Sequence, residues 1–177
     1  MVRERPDCVF FVLTRRPHRM LEFATLYGPM PDNFWVGTSA ENQQLFDTRV
    51  KCLSQVPAKY KAVSLKPLMS EIDITKARGA FNLVIAGGES GLGVHPVHPD
   101  WLRKIRDDCQ QLDLAFQFHQ WGSWGIECGP SCSTHLWVDR DGRSNIDGSG
   151  QLMHRVGCAV SGRVLDGAEW DEYPDAR

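Results

Sequence analysis

Short apolar runs alternate with amphipathic segments along the first two thirds of this chain, and this alternation most limits the folds open to it. Each run has the length and apolar character of a strand buried on both faces. Strands that are separated by helices form parallel sheets with right-handed crossovers. We therefore predict an α/β protein of about five parallel strands, as a partial (β/α) barrel or an open sheet, at residues 8–13, 33–37, 60–65, 83–86 and 114–119.

The segments between the strands carry signals for helix starts. Pro17 suits the first position of a helix, because its missing N–H would be unpaired there in any case. Ser39 is expected to cap the second helix, with Glu41 in the first turn, where a negative charge suits the helix dipole. His98 and Pro99 are expected to begin a third helix.

The alternation stops after Gly122, and residues 123–177 are rich in Gly, Ser and Asp. A small hairpin is expected around residues 139–142, whose Asp-Gly sequence is typical of a tight turn. The segment has too few apolar residues to fold by itself. We predict a βα half-barrel at 1–122 and an irregular tail at 123–177 that packs on the same domain through Trp124, Trp137, Val164, Leu165 and Trp170.

The composition argues against several classes of protein. A formal net charge of -2 and a pI near 6.3 give no overall attraction to nucleic acid or to anionic membranes. No apolar run is long enough to span a bilayer, and the charged residues 1–6 lack the apolar core of a signal peptide. The six cysteines are therefore expected to be reduced thiols of a cytoplasmic protein.

Residues 82–93, which read NLVIAGGESGLG, are the most informative stretch for function. The predicted strand ends at Gly87 and Gly88, where the backbone can take positive φ or let a ligand approach closely. Glu89 and Ser90 follow directly. Ligands of parallel sheets bind at the carboxyl ends of strands, so this turn is a candidate site, with a purely structural tight turn as the alternative.

Polar residues follow every predicted strand at its carboxyl end. These ends lie on one edge of a parallel sheet, which we call the strand-end rim, so the residues are expected to converge there. Such a mixture of groups suits a small polar ligand, although loops are polar in most proteins. The candidate ligand-binding residues are Arg15, Arg16, Ser39, Glu41, Asn42, Lys66, Gly87, Gly88, Glu89, Ser90, His119 and Gln120.

Individual roles at the strand-end rim have structural alternatives, and no catalytic residue is assigned. Arg15 or Arg16 could hold a phosphate or carboxylate with two hydrogen bonds, or be a solvated charge at the helix entry. Glu89 could pair with Lys66 across the sheet, which would be structural. His119 could carry a proton near neutral pH, or be a satisfied imidazole at the end of a strand.

Cys128, Cys132 and His135 have the spacing of a loose zinc motif, and Cys158 or His154 could supply a fourth ligand. No second pair of closely spaced cysteines accompanies them. An ordinary loop without metal is therefore the preferred interpretation.

The resemblance to a known family rests on six collinear segments: LTRRPHRM (13–20), FWVGTSAENQ (34–43), AVSLKPLMSEIDI (62–74), LVIAGGESGLGVHPVHPDW (83–101), FQFHQWGSW (116–124) and SGRVLDGAEWDEYP (161–174). Together they resemble the phage and prophage family called Gp thirty-seven / Gp sixty-eight, a three-Cys-motif domain of unknown function. The resemblance covers nearly the whole chain. It implies a radical-SAM-like partial barrel.

In full-length family members, the resemblance implies a cysteine cluster near the N-terminus that holds an iron–sulfur cluster and cleaves S-adenosylmethionine. Here seven residues precede Cys8 and no C-x-x-C occurs, so the chain resembles the C-terminal part of such a barrel. The family pattern also has glutamate at the position of Lys66, arginine at that of His95, and lysine at those of His119 and Cys158. These departures argue against radical chemistry by this chain alone.

Three functions follow as expectations. The preferred one is a phage-type protein, non-catalytic alone, that binds a nucleotide-like ligand or a partner at the strand-end rim in the host cytoplasm. The second is a radical S-adenosylmethionine enzyme, acting on nucleic acid or nucleotides, whose iron–sulfur half comes from a missing segment or a second chain. The third is a structural or host-inhibitory phage protein.

A half-barrel leaves the edge of its first strand open. We therefore expect the strand at 8–13 to be covered by the tail or by another chain, through self-association or a protein partner.

Overall fold

The computed structural model describes residues 2–128, 132, 134–145 and 147–174. It contains a five-stranded sheet in which all strands are parallel and lie side by side in sequence order. This confirms the predicted α/β class, and each strand begins and ends close to its predicted bounds. The strands are β1 (Phe10–Thr14), β2 (Phe34–Ser39), β3 (Lys61–Leu65), β4 (Leu83–Gly87) and β5 (Ala115–Gln120).

Three helices connect these strands: α1 (Pro17–Tyr27), α2 (Gln43–Ser54) and α3 (Pro99–Leu112). The starts of α1 and α3 agree with prediction. Pro17 lies in the first turn of α1, and the His98 Nδ1 atom caps α3 by accepting the backbone N–H of Asp100 at 3.1 Å. The crossover between β3 and β4 instead carries a short 3-10 turn, Thr75–Ala77.

The predicted cap of α2 is wrong. Ser39 is the last residue of β2, because its parallel pairing with Ser64 of β3 extends the strand to that point. Asn42 caps the helix instead, and its Oδ1 atom accepts the backbone N–H of Leu45 at 3.0 Å. Glu41 therefore precedes α2 and lies outside its first turn.

The two faces of the sheet have different environments. Strands that follow one another in order with right-handed crossovers have all their helices on one face. On that face, strand residues such as Val63 and Val84 join helix residues such as Leu53 and Leu102 in the main core. Burial of each such side chain contributes about 2 kcal/mol. The opposite, helix-free face carries a separate small cluster formed by Trp35, Ala62, Leu83, Ile85 and Ala115.

The tail forms two small antiparallel sheets. The larger has the strand order β6-β9-β7-β8 and the smaller is a two-stranded hairpin. The turn between β7 and β8 spans residues 139–143, which confirms the predicted hairpin. The strands are β6 (Trp124–Gly125), β7 (His135–Val138), β8 (Ser144–Asn145), β9 (Gln151–Arg155), β10 (Val164–Leu165) and β11 (Ala168–Glu169).

The tail packs on the core through some of the predicted residues. Trp124 and Leu165 are buried in the main core, and Trp170 is partly buried against it. The prediction is wrong for Val164, which is 45% exposed. It is also wrong for Trp137, because Val138, its neighbour in β7, points into the core and neighbours in a strand face opposite ways.

The tail covers one edge of the parallel sheet and leaves the other open. Backbone bonds join Phe118 N–H to Trp170 O at 3.0 Å and Glu172 N–H to Phe116 O at 3.2 Å, so the tail closes the β5 edge. No strand or bridge among the described residues pairs with the outer edge of β1. Of the two alternatives for covering the first strand, the tail is therefore wrong, and another chain stays a prediction.

A search of the described helices finds none with the length and apolar character needed to cross a membrane.

Candidate functional site at the strand-end rim

Gly88 in the turn after β4 and Gly122 in the turn after β5 are explained by contact with the protein's own backbone. A Cβ atom at Gly88 would overlap the carbonyl oxygen of Trp121, and one at Gly122 would overlap that of Glu89. Gly122 has a φ of 87°, whereas Gly87 and Gly88 do not have positive φ. The turn after β4 thus interlocks with the turn after β5.

Glu89 and Ser90 bind to neighbouring loops. The Glu89 carboxylate accepts the backbone N–H of His95 at 3.3 Å. The Ser90 hydroxyl accepts the Gln120 Nε2–H at 2.9 Å, so these two predicted site residues do come together. The expected pair of Glu89 with Lys66 is wrong, because no ion pair joins these two described residues; Glu89 turns toward the loop that enters α3 instead.

Glu41 lies between two arginines at the carboxyl end of β2. Its carboxylate oxygens are 3.3 Å from Arg15 and 3.6 Å from Arg49. Arg49 also donates to the carbonyl oxygen of Ser39 at 2.6 Å. Sequence reasoning missed Arg49, because a polar residue in the middle of α2 gives no sign that it reaches back to the strand end. Glu41 therefore orders two cations, and Arg15 also borders a groove of about 420 Å³ between α1 and α2.

Asn42, Ser39 and Ser64 have different roles at the strand-end rim. The Asn42 side chain is occupied as the cap of α2. Ser39 and Ser64 pair in register at the ends of β2 and β3, and both are largely buried. By the alternation of strand residues, both belong to the helix-free face, since Thr38 and Leu65 beside them point the other way. Two hydroxyl groups thus lie side by side on this face.

Lys66 follows the central strand of the sheet and has an unusual environment for a lysine. Its side chain is half-buried, and burial lowers the pKa of its ammonium group. No hydrogen bond or ion pair to this ammonium occurs among the described residues. A nearby thiol, that of Cys158, acts in the opposite direction and favours the charged form.

The segment 156–162 of the tail lies next to the strand-end rim. Val156 N–H donates to the carbonyl oxygen of Ser123 at 3.1 Å, and the Ser161 hydroxyl donates to that of Gly122 at 2.6 Å. These bonds explain how the thiol of Cys158 comes near Lys66. The sequence pattern carried no signal for this contact. Arg16 and His119 complete the predicted set and are exposed at the surface.

A second cluster of chemical interest lies in the tail. The sulfur atoms of Cys128 and Cys132 and a ring nitrogen of His154 all lie within 4.8 Å of one another. Two of the three predicted zinc residues are thus brought together, with His154 in place of His135. The Cys128 thiol is hydrogen-bonded to Cys132, and this bond raises its pKa.

The residues do not fit the iron–sulfur cluster that the family resemblance implies. Such clusters are held by cysteine thiolates. Among the described residues, the one group of possible metal ligands contains two thiols and an imidazole. We therefore derive no radical step from this chain.

Comparisons with known proteins identify one relationship. No curated protein and no solved structure matches the chain. One family model, described as Protein of unknown function (DUF5131), matches residues 1–174. Because this match spans nearly the whole sequence, including all five parallel strands and the tail, the chain belongs to the DUF5131 family.

Proposed function

We propose that this chain binds a small anionic, nucleotide-like ligand at the strand-end rim, with Lys66 contacting the anionic group, and that it performs no radical chemistry alone. The observation that carries the proposal is the half-buried ammonium of Lys66 after the central strand. A phage origin, as the family resemblance implies, is part of the same proposal.

The energetic argument concerns desolvation. Removing an ammonium group from water is costly unless an opposite charge or hydrogen bonds replace the water. Burial lowers the pKa of Lys66, and the described residues give its ammonium neither a hydrogen bond nor an ion pair. A bound phosphate or carboxylate would supply the missing partner.

The neighbouring helix-free face offers hydroxyl groups to such a ligand. Gly37 and Ala62 pair in register, and the side chains of Phe11 and Leu13 lie against Gly37. Ser39 and Ser64 pair two positions further toward the strand-end rim and provide hydroxyl groups. The hydroxyl groups of Ser39 and Ser64 could bind the polar part of the ligand while its anionic group reaches Lys66.

The test compares two lysines of the same strand. Lys66 lies after β3, and Lys61 begins β3 at its other end; burial lowers the pKa of both. The Lys61 ammonium, however, donates to the carbonyl oxygen of Ser54 at 2.7 Å. We expect adenosine monophosphate to bind the unchanged chain in titration calorimetry, Lys66→Met to weaken binding about tenfold or more, and Lys61→Met to leave it unchanged. Equal effects of the two substitutions would refute the role of Lys66.

A radical S-adenosylmethionine enzyme is the second candidate, and the open edge of β1 favours it, since a further strand could pair there. In that case another segment or polypeptide would supply the cluster ligands. Anaerobic reconstitution of the purified chain with iron and sulfide tests whether this chain alone holds a cluster. The second candidate predicts a cluster and turnover only when the polypeptide that carries the missing cysteines is added. A stable iron–sulfur absorption band with turnover of S-adenosylmethionine would overturn the non-catalytic proposal.

A chain that binds neither adenosine monophosphate nor S-adenosylmethionine would favour the third function, a structural or host-inhibitory protein. The proposed location is the cytoplasm, where cysteines that form no disulfide stay reduced.

A further inference from the structure

We propose that Cys128, Cys132 and His154 form a zinc site that fastens the β6–β7 connection to strand β9. This site lies in the tail and is separate from the proposed ligand at the strand-end rim. It takes a divalent metal with a preference for thiolate and imidazole ligands, which is the chemistry of zinc.

The three ligands come from different parts of the small sheet. Cys128 follows β6 and Cys132 precedes β7, whereas His154 lies within β9, the strand that pairs with both. His154 is the register partner of Gly125 in β6 and of His135 in β7. A metal bound by all three would therefore connect both ends of the loop to the strand between them.

The distances agree with tetrahedral coordination. With Zn–S of about 2.3 Å and Zn–N of about 2.0 Å, a tetrahedral site separates a sulfur from a nitrogen ligand by about 3.5 Å. The Cys132 sulfur and the His154 Nδ1 atom are 3.5 Å apart. The third ligand atom, the Cys128 sulfur, lies within 4.8 Å of both. Only a small movement of the Cys128 side chain is needed to close the site.

The chemical balance of binding is simple. The metal displaces the thiol protons of Cys128 and Cys132, so two protons are released for each zinc bound. His154 binds as a neutral imidazole through Nδ1. The fourth position is filled by water, since neither His135 nor Cys158 belongs to the ligand group.

A metal would add to the stability of the small sheet, which also packs on the main core through Val138 and Met153. Its strands are short, and β6 and β8 have two residues each. Structural zinc commonly contributes to the stability of small elements of this kind.

The test uses the full chain, freed of metal by a chelator and kept reduced, with zinc and cobalt as probes. We expect one equivalent of cobalt to produce a thiolate-to-cobalt charge-transfer band that zinc abolishes. Cys132→Ser should weaken zinc binding at least about 100-fold. Cys158→Ser is the matched control in the same tail, and it should change binding by less than about threefold, as should His135→Ala.

A second measurement covers the case in which Cys132→Ser fails to fold. Zinc should raise the melting temperature of the unchanged chain, whereas magnesium should not, because magnesium prefers oxygen ligands. Absence of the charge-transfer band would overturn the proposal. So would a fully reduced chain, with no Cys128–Cys132 disulfide, that has no affinity for zinc. If His135→Ala or Cys158→Ser weakened zinc binding as much as Cys132→Ser does, the assignment of Cys128, Cys132 and His154 as the three ligands would be overturned.

Discussion

His98 is a buried imidazole whose hydrogen bond requires the neutral form. Its Nδ1 atom accepts the Asp100 N–H, so this nitrogen must carry no proton. Burial lowers its pKa, Asp100 opposes this effect, and the nearby arginines Arg103 and Arg140 add to it. The folded pKa thus lies below the unfolded value near 6.5. The contribution of His98 to stability is therefore complete above that unfolded value, and it is lost as pH falls from there through the lower folded pKa.

The pH dependence of stability should change when His98 is replaced. His98→Asn keeps a capping oxygen but does not titrate. We expect the fall in the free energy of unfolding between pH 7 and pH 5 to become smaller by about 1 kcal/mol in urea titrations. An unaltered pH dependence in His98→Asn would show that the folded protein does not resist protonation of this ring.

Lys66 is expected to contribute to ligand binding and not to the stability of the fold. Lys66→Met removes a half-buried ammonium that has no described hydrogen bond, so the free energy of unfolding should stay equal or rise by up to about 1 kcal/mol. Lys61→Met removes the donor to Ser54 and should lower it by about 1 kcal/mol. Both changes are to be measured by urea unfolding in the absence of ligand. A clear loss of stability in Lys66→Met would indicate a structural role for this lysine.

At the scale of secondary-structure elements, the interlocked turns after β4 and β5 depend on Gly88. Gly88→Ala places a methyl group against the carbonyl oxygen of Trp121, and backbone on both sides limits relief. We expect a loss of about 3 kcal/mol in the free energy of unfolding. Gly79→Ala serves as the control, because Gly79 has positive φ but open space, and it should cost only about 1 kcal/mol. Similar losses for the two would argue against the interlock.

The tail is fastened to α3 by ion pairs at Asp166. Its carboxylate is 2.9 Å from Arg103 and 2.6 Å from Arg106, and these hydrogen bonds lower its pKa. The contribution of the Asp166 carboxylate to stability is thus present above the unfolded pKa near 4 and is lost as pH falls below it. Asp166→Asn should cost about 1 kcal/mol at pH 7, whereas Glu22→Gln, in an exposed pair on α1, should cost less than about 0.5 kcal/mol. Equal losses in the free energy of unfolding for the two variants at pH 7 would show that Asp166 does not anchor the tail.

The regular elements were predictable because their signals are local. Continuous apolar runs identified β1 to β5, and proline or histidine caps identified the starts of α1 and α3. Contacts between distant segments carried no such signal. Examples are Arg49 reaching the end of β2, the nearness of Cys158 to Lys66, and the choice of His154 over His135, which depends on the strand order of the tail.

For the whole molecule, the two edges of the parallel sheet differ in a way that has consequences for assembly. The tail closes the β5 edge through residues 170–172. No strand in the described part of the chain pairs with the outer edge of β1, and apolar side chains are exposed there, with Val12 38% and Leu13 47% exposed. Edges of this kind pair with other strands unless charged or covered.

We therefore expect purified chains to associate through β1, with a second copy as the partner when no other is present. Sedimentation should show a dimer fraction that grows with protein concentration. Val12→Lys should reduce this fraction strongly, because a lysine on an edge strand opposes pairing of two copies. Leu26→Lys replaces a more exposed apolar residue of α1, away from the edge, and should leave association unchanged. A concentration-independent monomer would mean that this edge stays unpaired in solution, and the open strand would then be available to a different polypeptide.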